Sequence, residues 1–343
     1  MLVRLLLCCA LAWPAQAVAQ GLQDKAQLVA SERLRAYTLA RGLTHGQGAF
    51  GAVRELKSLL QRQGHYLEPG HPALIYRDQA LYPQIAHVPN MNGGFENREL
   101  ELGGLLFRLR DDYAARGGVA LGLTYAGQAR LGWSPGRYVE ARLQLGALHA
   151  PGPDLTRTDA RVEICARNHI AGWTFADLCA SQDRLWQELG EGRRNGLELG
   201  LHHLFETPGR FHEFSAYFGR TGEDFPDRSH IAFGLDTAWS RTATRISLRV
   251  QEPGPRQFGS DLTLAGDIRW LAGRRVVGLG LQASQSPESG FFGVRRQDIG
   301  FGVTGLVELR DNVVLTAGYA HIESTIDFFD SQSLQVNISF DLN

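Results

Sequence analysis

From about residue 80 to the end of the chain, apolar and polar side chains alternate with a period of two. In the segment Tyr138 to Ala147, Val139 begins an apolar face, whereas Glu140 and Arg142 lie on the opposite face. A period of two places successive side chains on opposite faces of a β-strand. Similar segments recur about fourteen times, the last being Leu334 to Leu342. This part of the chain is therefore predicted to be all-β.

Two kinds of all-β protein show such alternation: a soluble sandwich with a dry core, and a membrane barrel whose apolar face meets lipid. Here the polar face carries charged residues, which suit a wet lumen better than a dry core. The strands are also about ten residues or longer, as a tilted bilayer span requires, whereas globular strands usually have about 5 or 6. We predict a transmembrane antiparallel β-barrel of about fourteen strands, with a soluble sandwich as the alternative. The residues predicted to line the lumen are Glu140, Arg142, Glu198, Asp267 and Arg269.

The connections between these strands alternate in length, as in outer-membrane barrels with short periplasmic turns and longer external loops. In the second half, short connections such as "RDN" at 310 alternate with longer ones such as "STIDFFDSQ" at 324. This alternation places both termini on the periplasmic side. It also makes the first break, Asn90 to Gly94, the external connection from the first strand to the second, and the segment from Cys165 to Cys179 an external loop. The connection "LGWSPG" at 131 is predicted to be external, although it is brief.

The N-terminal part has a different pattern. Arg4 precedes the apolar stretch Leu5 to Trp13, and small residues follow at signal-peptidase spacing, so 1–19 is predicted to be a cleaved signal peptide. A membrane anchor is the alternative, but the apolar stretch is too short to span a bilayer. Apolar residues at helical spacing predict a periplasmic helical hairpin within 20–70, and 80–343 is predicted to form the barrel. The predicted location is the bacterial outer membrane.

Four cysteines are present, and two of them, Cys8 and Cys9, lie in the predicted signal peptide. Cys165 and Cys179 remain after cleavage and reach an oxidising compartment, where a disulfide between them would stabilise the fold by about 3 kcal/mol. Two separately buried thiols are the alternative. Neither cysteine has a partner at C-x-x-C spacing, so redox catalysis is not predicted.

Several patterns resemble functional motifs, but none of them predicts a binding or catalytic site. A formal net charge of −1 gives no basic excess for nucleic acid. Gly300 to Gly305 spells G-x-G-x-x-G, but it keeps strand alternation throughout and opens no helix. Asn168 and His169 are followed by no nearby serine nucleophile and are interpreted as loop residues, and the adjacent His202 and His203 point to opposite faces of a strand. We predict no cofactor, no metal site and no catalytic residue, and therefore no enzyme.

One short motif points to a known family. A strand with Pro83 ends in an Asn-x-Asn-Gly-Gly turn, after a helical region and before a barrel of about fourteen strands, and this arrangement resembles the surface lipoprotein assembly modifier family over about 80 to 343. Members of that family carry a periplasmic tetratricopeptide domain ahead of an outer-membrane barrel, whereas this chain has one helical hairpin. The matching turn residues are Asn90, Asn92, Gly93 and Gly94.

The resemblance implies a protein that assists export of a lipoprotein or secreted polypeptide to the cell surface. If the chain has that function, we predict that the loops bearing Asn90 to Gly94 and Cys165 to Cys179 gate the barrel or contact cargo. A passive or selective solute channel, similar to a porin, is the alternative. A lipid-modifying barrel and a structural or adhesive barrel are further classes. The expected partners are outer-membrane lipid, such a cargo, and the barrel assembly machinery, which reads an aromatic residue near the end of the last strand, here Phe340.

Overall fold

The computed structural model of the chain describes residue 26 and residues 28–46, 50–223, 227–252, 261–286 and 289–341. The predicted signal peptide, 1–19, lies outside these residues. Two α-helices precede the sheet, α1 (Glu32–Thr44) and α2 (Phe50–Arg62). Ser31 caps α1, because its hydroxyl accepts a hydrogen bond from the Leu34 amide at 3.3 Å. No helix among the described residues is long and apolar enough to cross a membrane.

The rest of the described chain is almost entirely β-structure. In chain order the strands are β1 (Ala73–Val88), β2 (Glu99–Leu102), β3 (Leu105–Arg108), β4 (Gly118–Ser134), β5 (Arg137–Ala150), β6 (Leu155–Ala171), β7 (Thr174–Gln187), β8 (Gly190–Thr207), β9 (Arg210–Gly222), β10 (Arg228–Trp239), β11 (Thr242–Gln251), β12 (Leu262–Ala272), β13 (Arg275–Gln285), β14 (Ser289–Phe291), β15 (Val294–Arg296), β16 (Asp298–Arg310), β17 (Val313–Ser324) and β18 (Ser331–Phe340). Within the described residues, fourteen of these strands close into one antiparallel barrel, and the pairs β2–β3 and β14–β15 form small separate hairpins. The prediction of a barrel of about fourteen strands after a helical hairpin is confirmed.

One part of the strand assignment was wrong. The alternating segment that follows Asn90–Gly94 is not the second barrel strand but the small β2–β3 hairpin within a long loop, residues 89–117. The second barrel strand is β4, which pairs with β1 from Ala73 to Val88. Alternation alone cannot separate the two cases, since a hairpin standing in a loop has the same period as a strand in a barrel wall.

The two ends of the barrel differ in their connections. One end, called the short-turn end, holds the start of β1, the end of β18 and six two-residue turns, at 135–136, 172–173, 208–209, 240–241, 273–274 and 311–312. The other, the loop end, holds longer connections, together with one two-residue turn between β7 and β8. The alternation predicted for the second half is confirmed. The segment at 131 was wrongly predicted to be external, because the β4–β5 turn lies at the short-turn end, where Gly136 adopts a φ of +66°.

The outward face of the barrel is apolar. On β8, Leu197, Leu199 and Leu201 point outward with about half of each side chain exposed (49%, 49% and 51%), whereas Glu198 and His202 point into the lumen. The same alternation repeats around the barrel, and an exposed apolar band of this kind is stable only against lipid hydrocarbon. The chain is an outer-membrane β-barrel, with membrane lipid around its outward face.

Candidate functional site: the lumen and its helical plug

The first helix, α1, packs inside the short-turn end of the barrel, and α2 packs against α1. We call α1, α2 and residues 28–31 the helical plug. Leu34 and Tyr37 of α1 are buried against inward side chains of several strands, and the Tyr37 ring meets Trp173 edge to face at 4.9 Å. The barrel side of this contact consists of Phe175, Leu204, Phe211, Ala238 and Ala243. Burial of these apolar groups gives the plug a fixed seat in the lumen.

Ion pairs join the plug to one side of the lumen. Arg33 donates two hydrogen bonds to the carboxylate of Asp177 on β7, at 3.0 and 2.5 Å, and Asp177 also accepts from Arg167 at 2.5 Å. Glu32 of α1 accepts from Arg130 on β4 at 2.6 Å. The Asp177 side chain is only 2% exposed and that of Arg33 10%. Removing one partner of such a buried pair costs about 3 to 5 kcal/mol, because the other charge is left uncompensated.

Glu140 on β5 is the centre of this network. Its buried carboxylate, 2% exposed, accepts hydrogen bonds from Arg130 at 2.6 Å and Arg167 at 2.8 Å and lies 2.7 Å from Arg142. Arg130 therefore connects Glu140 to Glu32 of α1, and Arg167 connects it to Asp177, the partner of Arg33. We call this network the latch. Its members are Glu32, Arg33, Arg130, Glu140, Arg167 and Asp177.

A histidine adds to the seat of the plug. His202 on β8 lies between two carboxylates, with Nδ1 2.9 Å from Glu213 and Nε2 3.1 Å from Asp177. The ring therefore lies between a carboxylate of β7 and a carboxylate of β9. Glu213 also accepts a hydrogen bond from the hydroxyl of Ser31 in the plug. The neighbouring His203 points outward and contacts Thr174, which confirms that the two histidines lie on opposite faces.

His65 lies outside the membrane-spanning strands, at the end of the plug, with its ring 5.5 Å from that of His169. Burial, together with the neighbouring His169 ring, lowers the pKa of His65 below its ordinary value of 6.5. The interpretation of His169 as a loop residue was wrong, since it lies near the end of β6 and its Nε2 is 2.8 Å from the Gly172 carbonyl oxygen.

All five residues predicted to line the lumen have inward positions. Glu140 and Arg142 belong to the latch region, and Glu198 contacts His230 at 3.0 Å. Asp267 and Arg269 lie on β12, 3.7 Å apart.

The two cysteines lie on adjacent strands of the barrel rather than in a loop. Cys165 on β6 and Cys179 on β7 are directly opposite in register and are joined by a disulfide. The turn between them, at 172–173, belongs to the short-turn end. The prediction of an external Cys165–Cys179 loop was therefore wrong. The disulfide instead ties together the two strands that carry Arg167 and Asp177.

The Asn-x-Asn-Gly-Gly motif lies at the loop end and is firmly held. The side-chain oxygen of Asn90 accepts hydrogen bonds from the amides of Gly93 and Gly94, at 2.8 and 3.0 Å. Asn92 is fully buried and donates to the Ala114 carbonyl at 2.9 Å. A side chain at Gly94 would lie 2.5 Å from the Ala114 backbone, so only glycine fits there.

The same long loop reaches two distant parts of the loop end. The carbonyl of Asn92 accepts a hydrogen bond from the Leu189 amide in the β7–β8 turn, at 3.0 Å. Asn97 donates to three carbonyls in the β17–β18 connection, at 2.8 to 3.2 Å. These hydrogen bonds attach the loop to the β7–β8 turn and to the β17–β18 connection. The gating role predicted for Asn90–Gly94 stays a prediction.

Comparisons with known proteins identify no family for this chain. No protein-family model matches the sequence, and a search of curated proteins finds no match. Similar solved structures include OprD of Pseudomonas aeruginosa (8% identity, TM-score 0.43, covering 82% of this chain and 97% of that chain), OccAB4 of Acinetobacter baumannii (6%, 0.42, 80% and 99%) and a BenF-like porin from Pseudomonas fluorescens Pf-5 (7%, 0.42, 78% and 98%). Likeness at this level carries no argument about function, which has to come from the geometry of the chain itself.

The lumen beyond the plug contains open space. Three cavities of about 380, 300 and 430 Å³ lie along its walls. The largest two differ in lining. The cavity of about 430 Å³ borders Arg142 and Arg161, whereas that of about 380 Å³ borders Arg245 and Asp267 on one side and small or uncharged groups of β13, β16, β17 and β18 on the other. We call this second surface the small-residue wall. Its members are Gly280, Gln282, Gly302, Thr304, Gly318, Ala320, Ser333 and Gln335.

Of the latch residues, only Glu140 was named from the sequence. Sequence reasoning missed Glu32, Arg33, Arg130, Arg167 and Asp177, as well as Glu213. Asp177 and Arg167 occupy inward positions in the strand alternation, which was a usable signal. No local pattern connects them with Arg33, which lies 144 residues from Asp177 along the chain. In the described residues no group of side chains suited to a metal ion is present. The buried charges form ion pairs that join structural elements.

Proposed function

We propose that this chain is an outer-membrane channel for small polar solutes, whose short-turn end is occluded by the helical plug. The observation that carries the proposal is the polar lumen, with cavities of about 300 to 430 Å³ between a charged wall and the small-residue wall. Polar groups in such a lumen solvate a solute, while the apolar outward face stays in lipid. Passage then follows the small-residue wall.

The plug supplies the means of closing this path. Its described hydrogen bonds and ion pairs to the barrel go to strands β4, β7, β8 and β9, as in the pairs of Arg130, Asp177 and Glu206 with α1. Among the described residues, none goes to β16, β17 or β18. Displacement of α1 from its barrel partners Arg130 and Asp177 would open the short-turn end without disturbing the barrel wall.

The test compares two arginines of α1. Arg33→Gln breaks the pair with Asp177 on the barrel, whereas Arg35→Gln breaks a pair with Glu55 that lies within the plug. In planar bilayers we expect Arg33→Gln to raise the open fraction of the full chain by at least about tenfold, because a broken buried ion pair costs about 3 kcal/mol or more. Arg35→Gln should match the wild type. Absence of any conductance in all three proteins, with the barrel intact by circular dichroism, would refute the channel.

Export of a lipoprotein or secreted polypeptide is the second candidate. It rests on the family resemblance and on the barrel closure, since β1 pairs with β18 only from Gln84 to His87 but with β4 from Ala73 to Val88. A seam this short could open sideways to a polypeptide. On this hypothesis the barrel assembly machinery and the cargo remain proposed partners.

A disulfide across the seam separates the two candidates. Ala86 and Asn337 are directly opposite in register, so Ala86→Cys with Asn337→Cys would lock β1 to β18. If the seam admits cargo, surface proteolysis should show loss of exported lipoproteins under oxidising conditions and their recovery after reduction. Unchanged surface exposure together with unchanged conductance would favour the channel alone.

A further inference from the structure

The cavity of about 300 Å³ between β6 and β11 has an unusual balance of charge. Its carboxylates already have cationic partners: Arg161 lies 3.2 Å from Glu163 and 3.6 Å from Asp183. Asp177, at the base of the same cavity, is held in the latch. The negative charges of the cavity are therefore compensated within the protein.

The fourth carboxylate of the cavity is held by a histidine that crosses a neighbouring strand. His230 on β10 reaches over Gly219 on β9 to Glu198 on β8, with Nε2 3.0 Å from the carboxylate. A side chain at Gly219 would come within 2.5 Å of the His230 ring, so glycine is required for this bridge. His230 is 97% buried, with 3% exposure, and its Nδ1 has no hydrogen-bond partner among the described residues.

Three arginines of the cavity have no carboxylate partner among the described residues. Arg220 on β9 donates to the Asp227 carbonyl at 3.2 Å, whereas Arg194 on β8 and Arg249 on β11 form no hydrogen bond or ion pair with another described residue. Arg249 is half-buried and Arg194 is exposed toward the cavity. Guanidinium groups present several N–H donors in a planar fork that suits the oxygens of a carboxylate or phosphate.

We propose that this cavity binds a small anion bearing a carboxylate or phosphate group, with Arg194 and Arg249 as its cationic contacts and His230 as a neighbouring polar group. The proposal rests on the channel function, for which it names the solute class. Its volume of about 300 Å³ limits the ligand to a small molecule, since a water molecule occupies about 30 Å³ of liquid. The compensated carboxylates around it keep the local charge positive.

Binding can be measured without conduction, by isothermal titration of the detergent-solubilised full chain. The probes are acetate, for a carboxylate, and inorganic phosphate. We expect saturable binding of at least one probe, and Arg249→Gln or Arg194→Gln should weaken it by about tenfold, the usual effect of losing a charged hydrogen bond. The probe that binds identifies the anion class.

Arg269→Gln is the matched control, because it removes one lumen arginine on β12, outside this cavity. We expect it to leave probe binding unchanged and to shift the anion-to-cation selectivity of the channel less than Arg249→Gln does. Equal effects of the two substitutions, or no saturable binding of either probe, would overturn the site. Binding by a protein that does not conduct would instead overturn the channel and leave the site standing.

Discussion

The two sides of the lumen have opposite characters. On the side of β4 to β9, inward positions hold buried charges such as Glu140 and Asp177, each 2% exposed. On the small-residue wall, inward positions hold glycines and neutral polar groups around a cavity of about 380 Å³. The plug attaches where the charges are, and open space remains where the side chains are small. Under the proposed channel function, occlusion and passage therefore involve different strands of one barrel.

The largest difference between the two sides should appear in stability. Glu140→Gln removes a carboxylate that three arginines surround, and we expect it to lower the free energy of unfolding by about 3 kcal/mol or more. Thr304→Val, on the small-residue wall, should change it by less than about 0.5 kcal/mol. Urea unfolding of the reconstituted protein measures both. Similar losses for the two variants would mean that the charged side has no special role in holding the structure.

Single-channel conductance should depend on the small-residue wall more than stability does. Gly280→Phe directs a large ring at the cavity of the small-residue wall, and a Cβ added at this position would have no atom closer than 3.8 Å, so the backbone there accepts a side chain. We expect it to reduce single-channel conductance at least about twofold by narrowing the path. Ala317→Phe, on the exposed outward face of β17, is the control and should leave conductance unchanged. Passage along another wall would leave both variants like the wild type.

The smallest expected effect concerns pH at the edge of the plug. The lowered pKa of His65 means that the undocked state binds the proton more strongly, so this contribution to docking is complete above pH 6.5 and is lost as the pH falls below it. Wild-type conductance should therefore rise on acidification below pH 6.5, and His65→Gln should reduce that rise. His71→Gln, at an exposed position nearby, should not. An identical pH response in all three proteins would show that His65 does not contribute.

The barrel was predictable from sequence because its signal is local and repeated. Each strand shows its own alternation, and the inward positions of Glu140, Arg142, Glu198, Asp267 and Arg269 follow from that period. The same local rule misassigned the segment after Asn90–Gly94, since β2 and β3 alternate just as wall strands do. Connection length was also an unreliable guide to the end of the barrel at which a connection lies, because the β7–β8 turn at the loop end is as short as the turns of the short-turn end.

The plug could not be predicted, because its contacts are distant in sequence. Arg33 and Asp177 are 144 residues apart, and Arg130 meets Glu32 across 98 residues. The helical segments were recognisable, but their apolar residues did not reveal whether they pack against each other alone or against the lumen. The Asp177 carboxylate meets Arg33 of α1 only once the strands have closed into a barrel around the helix.

The most direct test of this division between occlusion and passage is the single-channel conductance of three full-length proteins: wild type, Arg33→Gln, and Arg33→Gln combined with Gly280→Phe. We expect the first substitution to raise the open fraction and the second to reduce the conductance of the opened channel. If Arg33→Gln behaves like the wild type, or if Gly280→Phe has no effect on the opened channel, then the plug does not close a path along the small-residue wall.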